Sequence, residues 1–308
     1  DYPICVKILE YRKYKKLEST YIEALIRLRD ENGRVHTSFD QTATATGRIS
    51  SLEPNLQNIP VRTELGRGIR AAFIARPGYL LVDGDYSQIE LRVLAHISGD
   101  PAMISAFNSG EDIHRRTAAE VAGISPEEVT PAMRSAAKAV NFGIVYGISD
   151  FTLARNLHIS RAEARDYIDR YFARYPGVKA YLDAAVSSAR ELGYARTLMG
   201  RRRYLPEIHS SNFNVRAFGE RCAMNSPIQG TAADIIKLAM VRVHDAFRRE
   251  GLSARLVLQV HDELMVEAPE VEVPRVQELL RECMENVITL AVPLKTDLSV
   301  GRNWLACK

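Results

Sequence analysis

Hydrophobic and polar positions change period along the chain, and each change marks a predicted element. In residues 6–28 apolar side chains recur every third or fourth position, which predicts an amphipathic helix. Residues 80–82 form a short apolar run followed by Asp83, Gly84 and Asp85, which predicts a buried strand that gives way to a turn. Residues 256–266 place two apolar runs on either side of His-Asp-Glu, which predicts a tight hairpin with acids at its tip.

The stretch after Asp85 has the signature of a helix start. Ser87 stands three residues before Glu90, the spacing of a capping box, and apolar residues at 89, 93 and 97 repeat at helical spacing. We therefore expect Asp85 to lie at a strand end, close to a helix start, where a carboxylate can face a cleft. An acid in such a position more often serves only the turn, and that simpler interpretation stays open here.

Helical patterns dominate the middle of the chain. Residues 99–217 alternate short helical segments with turn signals such as Ser125-Pro126. A long helix is predicted from Arg221 to Phe247, and Asn32-Gly33 predicts a hairpin turn near the start. The remaining predicted segments are helices at 102–107, 113–121, 126–129, 161–174 and 273–287 and a strand at 294–300.

Composition and charge narrow the class of protein. With 308 residues, 46% hydrophobic and 26% charged, the chain is long enough for two domains with real cores. The net charge is only +3, so any nucleic-acid binding must come from local basic clusters. The four cysteines are scattered without a CxxC pair, which favours free thiols in a reducing cytosol. No apolar run reaches membrane length and no signal peptide is visible. Because the first residue is Asp1 rather than Met, we expect a fragment, so the absence of a targeting segment carries little weight.

Two kinds of candidate chemistry stand out. Asp85 and Asp262 each end a predicted strand, and two such carboxylates can hold a pair of Mg²⁺ ions, which prefer oxygen ligands. Arg134, Lys138 and Phe142 fall at four-residue steps with Tyr146, so they share one helix face. Two cations followed by two aromatic rings on one face describe an ordinary amphipathic surface as well as a binding site.

These motifs resemble those of a known enzyme family. The sequence Asp-Tyr-Ser-Gln-Ile-Glu-Leu-Arg at 85–92 resembles motif A of family A DNA polymerases, the bacterial DNA polymerase I type. His-Asp-Glu at 261–263 resembles motif C, and residues 134–147 resemble motif B. The three motifs follow the family's order, and the resemblance runs essentially from end to end of the chain.

The resemblance implies an α+β fold. We expect a palm, an antiparallel β-sheet flanked by helices, interrupted by an all-helical fingers subdomain. The implied boundaries are palm at 1–98, fingers at 99–217 and the second part of the palm at 218–308. The thumb and the exonuclease domain that family members carry are expected to be absent from this chain.

The resemblance also implies template-directed DNA synthesis by a two-metal mechanism. Asp85 and Asp262 would hold two Mg²⁺ ions, with Mn²⁺ as a substitute and the Tyr86 backbone carbonyl as an extra ligand. Glu263 would be a supporting acid, and Lys138 would stabilise charge on the leaving phosphates and donate a proton. The implied nucleotide-binding residues are Arg134, Lys138, Phe142, Tyr146, His114, Gln88 and Glu90.

Two of these nucleotide-binding residues have simpler interpretations. Glu90 would be a steric gate against a ribose 2′-hydroxyl, or the acid of the capping box described above, or both. His114 would contact a phosphate, although a lone histidine on a helix is more often structural.

DNA contacts are implied at several polar residues. A polymerase checks base pairs through minor-groove acceptors, which every correct pair presents. Arg48 is the principal candidate for that role, while Asn55, Gln57 and Asn58 equally suit turns in a loop. Arg12 and Lys16 would contact duplex phosphates or form a solvated basic face. The remaining implied DNA-binding residues are Arg221, Asn225, Gln229 and His261.

The implied partners are primer–template DNA, deoxynucleoside triphosphates and a separate thumb or exonuclease segment of the same parent protein. No membrane is involved, and the setting is the cytoplasm of a bacterial or phage-type system, at the nucleoid. Two alternatives remain at this point. A two-metal nuclease would also use paired Asp, but it does not explain the Arg-Lys-Phe-Tyr face. A polymerase-like, DNA-binding fragment would be inactive without a thumb.

Overall fold

The computed structural model describes residues 2–61 and 63–307, so the outer bounds of the predicted palm, 1 and 308, lie outside the described residues. The α-helices are α1 (Pro3–Leu17), α2 (Glu23–Leu28), α3 (Glu64–Ala71), α4 (Ile89–Ser98), α5 (Pro101–Asn108), α6 (Ile113–Ala122), α7 (Pro131–Val145), α8 (Asp150–Leu157), α9 (Arg161–Arg174), α10 (Pro176–Leu192), α11 (Phe213–Arg249) and α12 (Val273–Glu285). The strands are β1 (Ser38–Asp40), β2 (Ser50–Leu52), β3 (Tyr79–Tyr86), β4 (Tyr194–Arg196), β5 (Arg202–Tyr204), β6 (Arg255–Val260), β7 (Glu263–Pro269) and β8 (Thr296–Gly301).

The chain divides into two compact units. The first unit comprises Asp1–Asp85, Ala239–Cys283 and Thr296–Lys308. The second unit comprises Tyr86–Leu238 and Met284–Lys295. Helices and antiparallel strands occur together, so the predicted α+β class is confirmed.

A four-stranded sheet forms the centre of the first unit, in the order β6-β7-β3-β8. β6 and β7 form the predicted hairpin, and β3 pairs antiparallel with β7. Leu81, Leu258 and Met265 of this sheet pack in one core with Trp304. This core fixes the sheet, and with it the strand ends that carry the candidate acids.

The second unit is built mainly from helices α4 to α10. Their ends follow ordinary capping chemistry: the Asp100 side chain accepts the backbone N–H groups of Ala102 and Met103 at the start of α5. The predicted helices at 102–107, 113–121 and 161–174 are confirmed as α5, α6 and α9. The region predicted as all-helical fingers also contains a short antiparallel ribbon of β4 and β5, closed by a turn in which Gly200 has φ +86°.

Several element boundaries differ from the predictions. β3 continues through Asp83, Gly84 and Asp85 instead of turning after Val82, because each of those three residues pairs with β7. The predicted helix at 6–28 contains a π-helical segment, Glu18–Ile22, and Pro126–Glu128 is a 3₁₀ turn. The long helix α11 begins at Phe213 rather than near 221, so Pro227 lies inside it. Across the described ranges, 2–61 and 63–307, no helix has both the length and the apolar character needed to cross a bilayer.

Candidate active site

Acidic side chains meet at one edge of the sheet in the first unit. Asp85, near the end of β3, is the register partner of Glu263, the first residue of β7. Asp262 precedes Glu263 in the two-residue turn of the β6–β7 hairpin, where His261 has a positive φ of 56°. Directly opposite residues of an antiparallel pair have Cα atoms about 4.5–5.5 Å apart, so Asp85 and Glu263 lie close together, and Asp262 is the chain neighbour of Glu263. The pairing therefore brings together the acids predicted from two distant stretches of sequence.

Exposure differs among these acids. Asp85 and Asp262 are half-buried, whereas Glu263 is buried. The Trp304 indole nitrogen donates a hydrogen bond to Glu263 Oε1 at 3.0 Å. The Arg70 guanidinium stacks on the Trp304 ring, with its central carbon 4.1 Å from the ring centroid. Glu263 is thus held from within the core, while Asp85 and Asp262 keep access to solvent.

Arg70 brings a buried positive charge to this cluster. It is 3% exposed, and its Nη2 donates to the Ile59 carbonyl at 3.3 Å. Burial lowers the pKa of Arg70, while the negative charges of Glu263 and Asp83 act in the opposite direction. Sequence reasoning missed Arg70 and Trp304, and the only signal was that Trp304 is the single tryptophan of the chain.

The donor set at this edge suits a divalent cation with oxygen ligands. Mg²⁺ keeps several waters and is usually bound through one or two carboxylates together with substrate phosphates. Asp85 and Asp262 supply two such carboxylates with partial solvent access. Within the described part of the chain, His, Cys, Asp and Glu nowhere form a group of three or more that could hold a metal. Two half-buried carboxylates fit an ion that takes its remaining ligands from water and substrate.

Helix α7 of the second unit carries the predicted cationic and aromatic face. Arg134 is half-buried, and its Nε donates to Asp112 Oδ2 at 2.6 Å. Asp112 also caps α6 through Oδ1; burial acts to raise its pKa, but the Arg134 hydrogen bond and the cap lower it overall. Lys138 is exposed on the next turn of α7, and Phe142 is half-buried a further turn on.

His114 lies behind this face. It is 1% exposed, its Nδ1 is 3.0 Å from Asn141 Nδ2, and its ring centroid is 5.8 Å from that of Phe142. Burial lowers the pKa of His114 to about 4, with the Asp112 charge opposing and the Lys138 and Arg134 charges reinforcing that shift. The ring is therefore neutral at physiological pH.

Glu90 is a buried acid of α4 whose predicted capping role is wrong. The helix begins at Ile89, and its N-cap is Gln88, a half-buried residue in the left-handed conformation (φ 56°) without a side-chain cap bond. Glu90 Oε2 instead accepts a hydrogen bond from the Tyr146 hydroxyl at 2.9 Å. Tyr146 directly follows α7 and is 43% exposed, so the pair connects the two helices that carry candidate nucleotide contacts.

Tyr86 follows Asp85 at the end of β3. Its ring is buried, and its hydroxyl donates to the Met284 carbonyl at 2.7 Å. The side chain is therefore structural, which leaves only the backbone carbonyl for the role predicted from the sequence.

The loop residues predicted to read DNA fall into different environments. Arg48 and Asn55 are half-buried and Asn58 is exposed. Gln57 is buried, where its Oε1 accepts from Ser51 N at 3.1 Å and its Nε2 donates to Gln259 O at 3.1 Å. The Gln57 amide thus spends its hydrogen bonds inside the first unit, which makes it the loop candidate least suited to a DNA contact.

Arg48 and His261 are linked electrostatically within the first unit. His261 is exposed, yet partial burial of its ring and the positive charge of Arg48 lower its pKa. Arg48 therefore lies close enough to influence His261, which directly precedes Asp262 in the β6–β7 turn.

Helix α11 displays Arg221, Asn225 and Gln229 at four-residue steps within the second unit. Arg221 is exposed, and the other two are half-buried. Among the described residues, the buried Nδ2 of Asn225 finds no hydrogen-bond partner. A Cβ at Gly147, just after α7, would come within 3.1 Å of the Arg221 side chain, so this part of α11 lies against the end of α7.

Arg12 and Lys16 lie on the exposed surface of α1 in the first unit. Apolar side chains of the same helix, among them Ile8 and Leu9, are also exposed. Both predicted cations are therefore accessible on the surface of α1.

The sequence and structure are similar to known polymerases. A family model described as DNA polymerase family A matches residues 1–306. A DNA polymerase I from Geobacillus stearothermophilus is 57% identical over 303 residues, which is 98% of this chain and 35% of that protein. A thermostable DNA polymerase I from Thermus aquaticus is 52% identical over 308 residues, 100% of this chain and 37% of that protein. The chain thus spans about a third of the length of the curated relatives it matches.

A solved structure is also similar. The POL domain of Pol1 from M. smegmatis, in complex with a DNA primer-template and dNTP, matches with a TM-score of 0.93 and 49% identity. The match covers 97% of this chain and 53% of that one. Together with the family model, these similarities establish that the chain belongs to DNA polymerase family A.

Proposed function

We propose that the chain is the catalytic part of a DNA-directed DNA polymerase. A primer 3′-hydroxyl attacks the α-phosphate of a bound deoxynucleoside triphosphate, opposite a template base, and pyrophosphate leaves. The observation that carries this proposal is the register pairing of Asp85 with Glu263 beside Asp262, in a chain of this family. It places the partly accessible Asp85 and Asp262 next to the buried Glu263.

Asp85 and Asp262 would hold two Mg²⁺ ions, for which Mn²⁺ can substitute, and the Tyr86 carbonyl would be an additional oxygen ligand. When bound, such ions activate the attacking hydroxyl and neutralise charge on the phosphates. Glu263 would act as a supporting acid, because the Trp304 hydrogen bond fixes one of its oxygens. The two strands position these acids before any substrate arrives.

The nucleotide would be bound by the residues of α7 and their neighbours. The guanidinium of Arg134 forms paired hydrogen bonds to phosphate oxygens, and Lys138 acts as a compact positive charge that also donates a proton to the leaving group. Phe142 and Tyr146 offer ring faces to the sugar and base, while Gln88 and Glu90 line the sugar position. His114 would add a neutral hydrogen-bond donor.

DNA would be bound through Arg48, His261, Arg221, Asn225 and Gln229. The buried, unpartnered Nδ2 of Asn225 supports this role, since an unsatisfied buried donor costs free energy until a ligand accepts its hydrogen bond. Weaker contacts would come from Asn55 and Asn58 and from Arg12 and Lys16 on α1.

The organisation follows the same proposal. Residues 1–98 and 218–308 would form the palm and residues 99–217 the fingers. Primer–template DNA and deoxynucleoside triphosphates are the partners, together with a thumb or exonuclease segment of the parent protein. The site of action is the nucleoid in a bacterial cytoplasm.

A one-base extension assay tests the proposal. The 308-residue chain is mixed with labelled primer–template, the next correct nucleotide and Mg²⁺, beside the variants Asp85→Ala and Asp262→Ala. We expect the wild-type chain to add one base and both variants to lose extension while keeping primer–template affinity. A shortened primer would indicate a nuclease instead, and DNA binding without extension would identify an inactive DNA-binding fragment. Extension by either variant at near the wild-type rate would refute the assignment of these acids.

A further inference from the structure

A chain of buried polar side chains runs through the second unit behind α7. It links His114, Thr117 and Glu120 of α6 with Asn141 of α7 and Tyr175, which lies between α9 and α10. His114 is 1% exposed, and Thr117, Asn141 and Tyr175 are fully buried. Buried polar groups are costly unless they are hydrogen-bonded, so a set of this size requires a specific arrangement of protons.

The contacts are continuous. Asn141 Nδ2 lies 3.0 Å from His114 Nδ1 and 3.2 Å from Thr117 Oγ1. Thr117 Oγ1 lies 3.2 Å from the Tyr175 hydroxyl, which donates to Glu120 Oε2 at 2.9 Å. Glu120 also accepts hydrogen bonds from Arg116 and Arg174, at 3.0 Å and 2.6 Å.

The ionised state of Glu120 determines which atom donates and which accepts in each hydrogen bond of this chain. Burial acts to raise the pKa of Glu120, but the hydrogen bonds from Arg174, Arg116 and Tyr175 lower it overall, so this carboxylate is ionised and only accepts. Tyr175 therefore gives its proton to Glu120, and its oxygen is left to accept the proton of Thr117. Thr117, having donated, can accept only from the amide nitrogen of Asn141.

The orientation of the Asn141 amide decides the state of His114. An amide has a donor nitrogen and an acceptor oxygen, and its two orientations exchange them. With the nitrogen turned to Thr117, its second N–H points to His114 Nδ1, which must then be the unprotonated nitrogen of a neutral ring. Thr117 Oγ1 also lies 3.3 Å from Asn141 Oδ1, so without Tyr175 the Thr117 proton has an alternative acceptor.

We propose that Glu120, acting through Tyr175, Thr117 and Asn141, fixes His114 as the neutral tautomer with its proton on Nε2. His114 is thereby a hydrogen-bond donor suited to an anionic phosphate oxygen, and Thr117, Asn141 and Tyr175 are positioning residues. The functional half of this inference rests on the proposed nucleotide-binding role of α7. The tautomer itself is a property of the protein without nucleotide.

The tautomer can be measured by NMR on the chain labelled with ¹⁵N-histidine at neutral pH, because the two ring nitrogens have distinct shifts when protonated and unprotonated. The chain has 7 histidines, and the His114→Gln variant assigns the signal. We expect His114 to be almost entirely the Nε2–H tautomer. A protonated Nδ1, or a cationic ring, would overturn the proposal.

The hydrogen-bonded path from Glu120 through Tyr175, Thr117 and Asn141 to His114, called the relay below, can be tested with variants and a matched control. Tyr175→Phe and Thr117→Val remove the hydroxyls of the relay and should give a mixture of tautomers, while Thr117→Ser should retain the wild-type state. Tyr171→Phe is the control, since Tyr171 is also fully buried, packs 4.9 Å from Tyr175 between ring centroids, and its hydroxyl has no hydrogen-bond partner among the described residues. An unchanged tautomer in both Tyr175→Phe and Thr117→Val would refute the relay.

The proposed link between the His114 tautomer and nucleotide binding is tested by a separate measurement. In single-nucleotide extension, Tyr175→Phe should raise KM for the nucleotide about two-fold if half the molecules keep the donor tautomer. Complete loss of a charge-assisted hydrogen bond would raise it by roughly ten-fold or more. In both cases kcat should change less than KM, and Tyr171→Phe should match the wild type. A changed tautomer with unchanged KM would leave the relay in place and refute its link to nucleotide binding.

Discussion

The indole nitrogen of Trp304 donates to a carboxylate oxygen of Glu263 at 3.0 Å, from a ring that is fully buried. Glu263 is in turn the register partner of Asp85. The residues closing the C-terminal end of the first unit therefore help to position the acidic edge of the sheet, although they lie far from it in sequence. Arg70, stacked on the Trp304 ring, adds a positive charge that acts on Glu263 and Asp83.

The Trp304→Phe variant tests that relationship, since it keeps an aromatic ring and removes the donor. We expect the free energy of unfolding to fall by about 2 kcal/mol, the typical cost of a lost hydrogen bond to a charged group. One-base extension should slow while primer–template affinity is retained. A double-mutant cycle with Glu263→Met, which removes the acceptor at similar size, isolates the coupling, and strictly additive effects on unfolding would contradict it.

A second prediction concerns the selection of deoxyribonucleotides over ribonucleotides and rests on the Glu90–Tyr146 pair. Glu90→Ala should raise ribonucleotide incorporation relative to deoxyribonucleotide, because space opens beside the sugar. Tyr146→Phe removes the hydroxyl that donates to Glu90 at 2.9 Å, so it should shift selectivity in the same direction by a smaller factor. The measurement is the ratio of kcat/KM for the two sugars, with Glu90→Gln as a control of equal size. If Glu90→Ala changed thermal stability but left the kcat/KM ratio for the two sugars unchanged, Glu90 would have a structural role only.

Phe142 provides a third prediction. The family resemblance implies that phenylalanine at this position disfavours nucleotides lacking a 3′-hydroxyl, and that a tyrosine hydroxyl substitutes for the missing group. Phe142→Tyr should therefore increase chain termination in a mixture of deoxy- and dideoxynucleotides. Phe142 is half-buried on α7. Unchanged termination would place this ring away from the sugar.

The sequence predicted those parts of the fold that depend on local pattern. Alternating apolar runs identified the β6–β7 hairpin, and helical spacing identified α5, α6 and α9. Local turn signals misled where tertiary pairing dominates: Asp83-Gly84-Asp85 resembles a turn, yet all three residues pair with β7. The supposed capping box at Ser87 failed for a similar reason, since the Ser87 N–H donates to Lys295 O at 2.8 Å, a partner that no local pattern reveals.

Candidate site residues divide in the same way. Motif residues such as Asp85, Asp262 and Lys138 were identifiable from spacing and family resemblance, and their roles remain proposals. The residues that position these motif residues could not be identified from the sequence, because their contacts join segments that lie far apart in the chain. Gln57 illustrates the difference: it looked like a loop residue for DNA, but its amide bonds to Gln259, 202 residues away. The buried chain behind His114 likewise depends on Tyr175, which in the sequence is distinguished only by the Pro176 and Gly177 that follow it.

The last prediction concerns the pH dependence of stability. Burial lowers the pKa of His114 from 6.5 to about 4 in the folded chain. Between these values the unfolded chain binds the proton and the folded chain does not, so unfolding becomes more favourable as the pH falls through this window. Above about 6.5 the ring is neutral in both states and has no effect on the slope.

The expected size of this effect is on the order of 3 kcal/mol between pH 7 and pH 4, since each unit of pKa difference corresponds to about 1.4 kcal/mol. Carboxylates also titrate at the acidic end of this range, so the useful quantity is the difference between wild type and His114→Gln, measured by urea unfolding at several pH values. The glutamine side chain keeps an acceptor for the Asn141 amide but has no proton to gain. The His114→Gln variant should therefore lose less stability toward pH 4 than the wild type does. Parallel curves for the two proteins would show that His114 takes up its proton equally in both states, and would remove the argument that this ring is held neutral.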